Sequence, residues 1–193
     1  MTMRWITTLA TLLAIGLAGP AIAGVWEDVI AADERGDYAG EIPLLKPLAD
    51  QGNADAQAIL GFMYYTGKGV PQNYVQAVKW YRLAADQGYA RAQTNLGFMY
   101  DSGQGVPRDY VQAVKWYRLA ADQGNARAQT NLGVMYRNGQ GVPRDYVLAY
   151  MWSNLGAAGG DEIGGNNRDL DASRMTPADI SEAQRLSREW KPK

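Results

Sequence analysis

The chain has 193 residues, 47% of them apolar and 20% charged, with a formal net charge of −1. That length and apolar share allow one domain or one short repeat array and rule out a wholly disordered chain. Without His or Cys, the commonest general base, the commonest metal ligands and a thiol nucleophile are all missing, and the dispersed Lys and Arg offer no patch for nucleic acid or an anionic membrane.

At the start, Arg4 precedes an apolar run from Trp5 to Ala18, followed by Gly19-Pro20 and the small residues of Ala21-Ile22-Ala23 before Gly24. This order reads as a secretory signal peptide over residues 1–23, cleaved after Ala23. The run falls short of the roughly 20 residues that span a bilayer, and no later segment is more apolar, so no stable membrane insertion is expected after cleavage. The expected location is periplasmic or secreted. Cleavage removes Arg4 and leaves 18 basic against 20 acidic residues.

Residues 24–52 read as an N-terminal capping hairpin. A short helix carries Trp26, Val29 and Ile30, and Asp37 to Gly52 follows as a second one ending in LADQG. Pro43 and Pro47 lack the N–H that a helix interior uses, so this second helix is expected to bend or to begin late.

A repeat dominates the middle of the chain. LGFMY at Leu60–Tyr64 recurs at Leu96–Tyr100, and LGVMY follows at Leu132–Tyr136, 36 residues apart each time. The same period carries GxGVP at 67–71, 103–107 and 139–143, and places Trp80, Trp116 and Trp152 in one column. A fixed period of 20 to 50 residues marks a solenoid whose units bury their apolar faces against their neighbours. Within a unit, Ala56, Leu60, Met63 and Tyr64 share one face of a first helix. The Gly-rich turn ends that helix, and Asn73, Asp109 or Asp145 can cap the second. Tyr74, Ala77, Val78, Tyr81, Ala84 and Ala85 give the second helix its apolar face, and Gly88 and Gly124 supply its left-handed stop.

The pattern Ala56, Leu60-Gly61, Met63-Tyr64, Gly67-x-Gly69-Val70, Ala77, Trp80-Tyr81 and Ala84-Ala85 resembles the Sel-one-like repeat, a relative of the tetratricopeptide repeat. The resemblance covers three units, 53–88, 89–124 and 125–160. It implies an all-α right-handed α-solenoid of helix-turn-helix repeats and a role as adaptor or scaffold, a few cysteine-rich members being associated with cell-wall or antibiotic chemistry.

Residues 161–193 read as a C-terminal capping segment. Gly159-Gly160 and Gly164-Gly165-Asn166-Asn167 are expected to break the register of a further first helix. Thr176-Pro177-Ala178-Asp179 is a capping box that opens a closing helix to about Trp190.

Of the residues that could carry chemistry, the Trp and Tyr columns sit where hairpins pack, and the repeated glycines are turn residues with no phosphate-loop spacing. Glu27, Asp33, Glu34, Asp37, Asp161, Glu162, Asp169 and Asp171 lack a recognisable partner and the spacing of a calcium loop, and read as solvated surface. No catalytic group, metal or cofactor is expected.

The three first helices differ at columns 55, 58, 59, 65 and 66 of the first unit, and the third unit also departs at the column of Phe62. These columns share a helix face opposite Leu60 and Tyr64, which packing does not dictate. The resemblance implies that this face lines the concave surface, making Tyr65, Arg91, Thr94, Asn95, Phe98, Asp101, Arg127, Asn131 and Arg137 the candidate partner-binding residues. The expected function is an exported protein–protein interaction module. A cell-wall-directed hydrolase or a non-catalytic glycan binder is the alternative.

Overall fold

The computed structural model describes residues 20–193, so the apolar run read as a signal lies outside the described residues. Ten helices and no strand occur among the described residues: α1 (Pro20–Glu34), α2 (Tyr38–Asp50), α3 (Ala54–Thr66), α4 (Tyr74–Asp86), α5 (Ala90–Ser102), α6 (Tyr110–Asp122), α7 (Ala126–Asn138), α8 (Tyr146–Ala158), α9 (Glu162–Ala172) and α10 (Pro177–Glu189). The chain forms two compact units, one ending at Trp80 and the other beginning at Tyr81.

In the first unit α1 packs on α2 and α2 on α3. Trp26, Val29, Leu45, Leu48, Ala56, Leu60 and Met63 form its core together with Trp80. The two prolines do not delay α2, against the expected late start: the helix begins at Tyr38, its end capped by Asp37, which accepts from the Gly40 N–H at 3.0 Å, and runs through both prolines. Both proline rings, and Ala39, whose carbonyl loses its helical donor, lie on the exposed side where water can replace the missing bonds.

In the second unit each helix packs on the next from α5 to α9, and α10 returns onto α8. Ala113, Tyr117, Ala128, Leu132, Met135 and Trp152 are central to the core. The caps follow the local sequence. Asn73, Asp109 and Asp145 accept from the N–H three residues on at 2.9 to 3.0 Å, and the left-handed glycines Gly67, Gly103 and Gly139 close the first helices. Thr176 and Asp179 form the reciprocal capping box of α10.

Two features bind one repeat to the next. Gln57, Gln93 and Gln129 occupy one column of the buried first-helix face, and each donates its Nε2 to the carbonyl of Ala49, Ala85 or Ala121 at the end of the preceding second helix, at 2.9, 3.1 and 3.2 Å. The second glycine of the turn does the rest. Gly141 has φ +70°, and a Cβ there would sit 2.3 Å from the Tyr110 carbonyl oxygen, so the turn abuts the start of the preceding second helix only because it has no side chain.

The Gly-rich segment after α8 is the largest departure from expectation. Gly164 and Gly165 do not break a helix; they lie inside α9, which occupies the place of a fourth first helix. A Cβ at Gly164 would come within 2.6 Å of the Ala157 nitrogen and 2.8 Å of the Ser153 carbonyl oxygen. Gly164 therefore serves close helix contact, and that gain outweighs its poor helix propensity of about 1 kcal/mol, whereas Gly165 faces open space.

Candidate functional site

Of the candidate residues, Tyr65 belongs to the first unit, half-buried on α3 with its ring 5.6 Å from that of Tyr74. The other eight lie in the second unit. Arg91 and Arg127 are exposed near the starts of α5 and α7, and Asn95, Phe98, Asp101 and Asn131 are half-buried on the same helices.

Two candidates are not on an open face. Thr94 is buried and its hydroxyl donates back to the Ala90 carbonyl at 2.8 Å, which satisfies it within its own helix. Arg137 is drawn inward: its Nε and Nη2 reach the two oxygens of buried Asp171 at 2.5 and 2.9 Å, and its Nη1 and Nη2 also donate to Asn167 at 3.1 and 2.9 Å. Ser153 adds a hydroxyl to Asp171 at 3.3 Å. Asp171 is thus a structural anion inside the C-terminal cap, not a solvated carboxylate, and Arg137 is the cation that fixes α9 in place.

One repeat earlier, the same columns hold a different arrangement. Tyr117, on α6, donates its hydroxyl to Asp101 of α5 and accepts from Asn131 of α7. Burial above all, then the Asp101 charge, pushes the Tyr117 phenol far up, so it stays a neutral donor. Burial also raises the Asp101 carboxyl, against the pull of Arg108 and the bond from Tyr117. Room for that phenol comes from Gly97, where a Cβ would lie 2.7 Å from the ring. The result is a polar seam drawn from three helices and flanked by the exposed Arg127, with Arg91 exposed at the far end of α5. It offers hydrogen-bond donors and acceptors at fixed positions and no nucleophile paired with a base. Sequence reasoning counted Tyr117 only as core; its column gives the signal, because Tyr81 and Tyr117 become Ser153 where Asp171 supplies the polar partner.

The tryptophan column is closed. Trp80, Trp116 and Trp152 are 5%, 8% and 7% exposed, which leaves none of these ring faces open for stacking on a sugar. Among the described residues no group of three or more acidic side chains is placed to hold a metal ion.

A second buried acid escaped the sequence reading. Glu41 of α2 is 1% exposed, and its Oε1 has no hydrogen-bond partner. Burial first, then the charges of Asp33 and Asp37 against the pull of Lys68, pushes its carboxyl up to about 7. Asp33 is raised as well, mainly by burial. The signal was a carboxylate in the column that Ala77, Ala113 and Ala149 fill with alanine.

With this geometry in hand, the family model described as the Sel1 repeat matches residues 54–89, 90–125 and 126–161. The chain belongs to the Sel1 repeat family. Its repeats have the helical-repeat fold of solved relatives. It is similar to a Sel1 repeat protein from Oxalobacter formigenes, with 36% identity and a TM-score of 0.69, over 74% of this chain and 59% of that one. It is also similar to c5321, a protective antigen of uropathogenic Escherichia coli strains displaying an SLR fold, with 32% identity and a TM-score of 0.75, over 98% of this chain and 44% of that one. The chain therefore spans about half the length of these relatives. Among curated proteins, none matches. The Sel1 units begin one residue later than the limits drawn from the repeated strings, at the first residue of α3, α5 and α7.

Proposed function

We propose that this Sel1 repeat protein is an exported interaction module that holds a segment of a partner protein on the polar seam of its second unit. The observation that carries the reading is the Asp101–Tyr117–Asn131 cluster: three helices fix its donors and acceptors before any partner arrives, Arg127 stands beside it, and Phe98 and Arg91 continue the same side of α5 away from it. Preformed sites cost a bound segment only its own ordering, and a seam with one aromatic and two cations suits an extended stretch bearing carboxylates. Export rests on the leading residues alone, Arg4, the apolar run and the Ala21-Ile22-Ala23 site.

The test is capture from the native cell envelope by cross-linking, comparing the wild type with Arg91→Glu/Arg127→Glu. Arg137 is left intact because it holds the cap. The double variant is expected to lose the captured protein while its helical circular dichroism and melting temperature stay within about a degree, as suits exposed positions. Undiminished capture would remove the seam as the binding site. N-terminal sequencing of the secreted or periplasmic fraction tests export, with Gly24 the expected first residue.

A further inference from the structure

Two of the second helices leave apolar side chains of their outer side in water. α4 and α6 have the same thirteen residues, YVQAVKWYRLAAD, and each leaves two large apolar side chains in water: Val75 is 63% and Leu83 41% exposed, Val111 63% and Leu119 42%. Around α6 these residues belong to an open groove of about 390 Å³, lined also by Val142 of the following turn and flanked by Lys115 and Arg118. A lone exposed Val or Leu needs no explanation, but a repeated pair one turn either side of a lysine, beside a groove, does.

The chain itself indicates what covers such a surface. On α8 the corresponding positions, Val147 and Leu155, are no longer exposed, and the lysine column becomes Met151, 7% exposed. The cover in this part of the chain is α10, an amphipathic helix whose Ala183 is fully buried and whose Leu186 and Trp190 join the core, with Trp190 edge-on to Trp152 at 6.2 Å. Gln184 donates to the Tyr150 hydroxyl at 3.3 Å, and the tail continues to Asp122, where the Lys193 N–H donates to its carbonyl at 2.8 Å. The tail thus ends at the lip of the α6 groove, and α10 stops one helix short of it. Where α10 covers the face, the lysine is replaced by methionine; where the face is open, Lys115 and Arg118 remain.

We propose that the outer face of α6 docks an amphipathic helix of a partner protein, its apolar stripe on Val111, Leu119 and Val142 and its carboxylates against Lys115 and Arg118. This is the apolar contact α10 makes on α8 with carboxylates added: the exposed side of α10 itself carries Arg185 and Arg188, with Arg185 paired to Glu182 and Glu189, so its own charges are nearly balanced and offer little to Lys115 and Arg118.

The probe is a labelled synthetic peptide of residues 177–190 in which Arg185→Glu and Arg188→Glu acidify the helix, titrated against the full chain by fluorescence anisotropy. Saturable binding at tens to hundreds of micromolar is expected, as befits one small groove, with the unaltered 177–190 peptide at least about tenfold weaker. Val111→Asp/Leu119→Asp, at exposed positions that leave the fold intact, is expected to weaken the acidic peptide more than about tenfold, and Arg91→Glu/Arg127→Glu to leave it unchanged, which separates this surface from the polar seam. Equal binding of the two peptides, absence of saturation to about 1 mM, or indifference to the Val111 and Leu119 changes, as when the peptide merely displaces α10 from α8, would each overturn the proposal.

Discussion

Arg137 and Asp171 form a two-point ion pair, Nε to Oδ1 at 2.5 Å and Nη2 to Oδ2 at 2.9 Å, that ties the last first helix to the capping helix α9. Asp171 is fully buried and the Arg137 side chain is 10% exposed, so the two charges compensate each other almost out of water. Removing one partner strands the other: Arg137→Met is expected to cost about 3 to 5 kcal/mol in urea denaturation. Arg137→Met with Asp171→Leu is expected to recover much of that loss. A double variant no more stable than the single would mean that the Asn167 and Ser153 bonds, rather than the ion pair, hold α9.

Glu41 makes stability depend on pH. Its folded carboxyl is raised to about 7 from the usual 4.5, so between those values the folded state binds more protons than the unfolded one. Stability therefore falls as pH rises through this window, by on the order of 3 kcal/mol in full, and Asp33, raised for the same reason, acts with the same sign. Thermal melts from pH 5 to 8 are expected to decline for the wild type and to be flatter for Glu41→Gln. Parallel curves would show that Glu41 reaches water on ionising.

The buried glutamines predict a cost of a different kind. Gln129→Leu keeps the volume but leaves the Ala121 carbonyl without the donor now at 3.2 Å, and is expected to destabilise by about 1 to 3 kcal/mol in chemical denaturation. A neutral result would place water on that carbonyl.

What could be read from the sequence was what neighbouring residues decide among themselves. The 36-residue period, the Asn73, Asp109 and Asp145 caps, the Gly88 and Gly124 stops and the Thr176 capping box depend on a few adjacent positions, and the structure has them all. The failures share another cause. Asp171 reads as surface because its partner lies 34 residues away, Gly164 as a breaker because the helix it touches is not its own, and Pro43 and Pro47 as reasons for a late start because their exposure depends on which side of α2 faces the core. Column variation alone puts Thr94 on the open face, since it cannot distinguish a hydroxyl turned back on its own helix from one turned to a partner.

The two sides of α5 give a direct comparison. Leu96 is fully buried, and Leu96→Ala is expected to cost about 2 to 5 kcal/mol through lost burial and the cavity left behind. Arg91→Ala, on the exposed side, is expected to stay within about 0.5 kcal/mol. Similar losses for both would overturn the assignment of faces on which the polar seam rests.

Tyr117→Phe tests the seam itself. The ring still fills the space beside Gly97, so packing is retained, but Asp101 loses its donor and Asn131 its acceptor. The half-buried carboxyl of Asp101, already raised by desolvation, is then expected to rise further, since a bond that favours its charged form is gone. Folding stability is expected to drop by about 1 to 3 kcal/mol, the cost of leaving partly buried polar groups unpaired, and more at high pH, where Asp101 must carry its charge without Tyr117. Denaturation at pH 5 and pH 8 checks both parts, with the wild type as the reference. If the variant and the wild type show the same pH dependence, the Tyr117 bond to Asp101 does not organise the seam, and the partner-binding surface rests on the arginines alone.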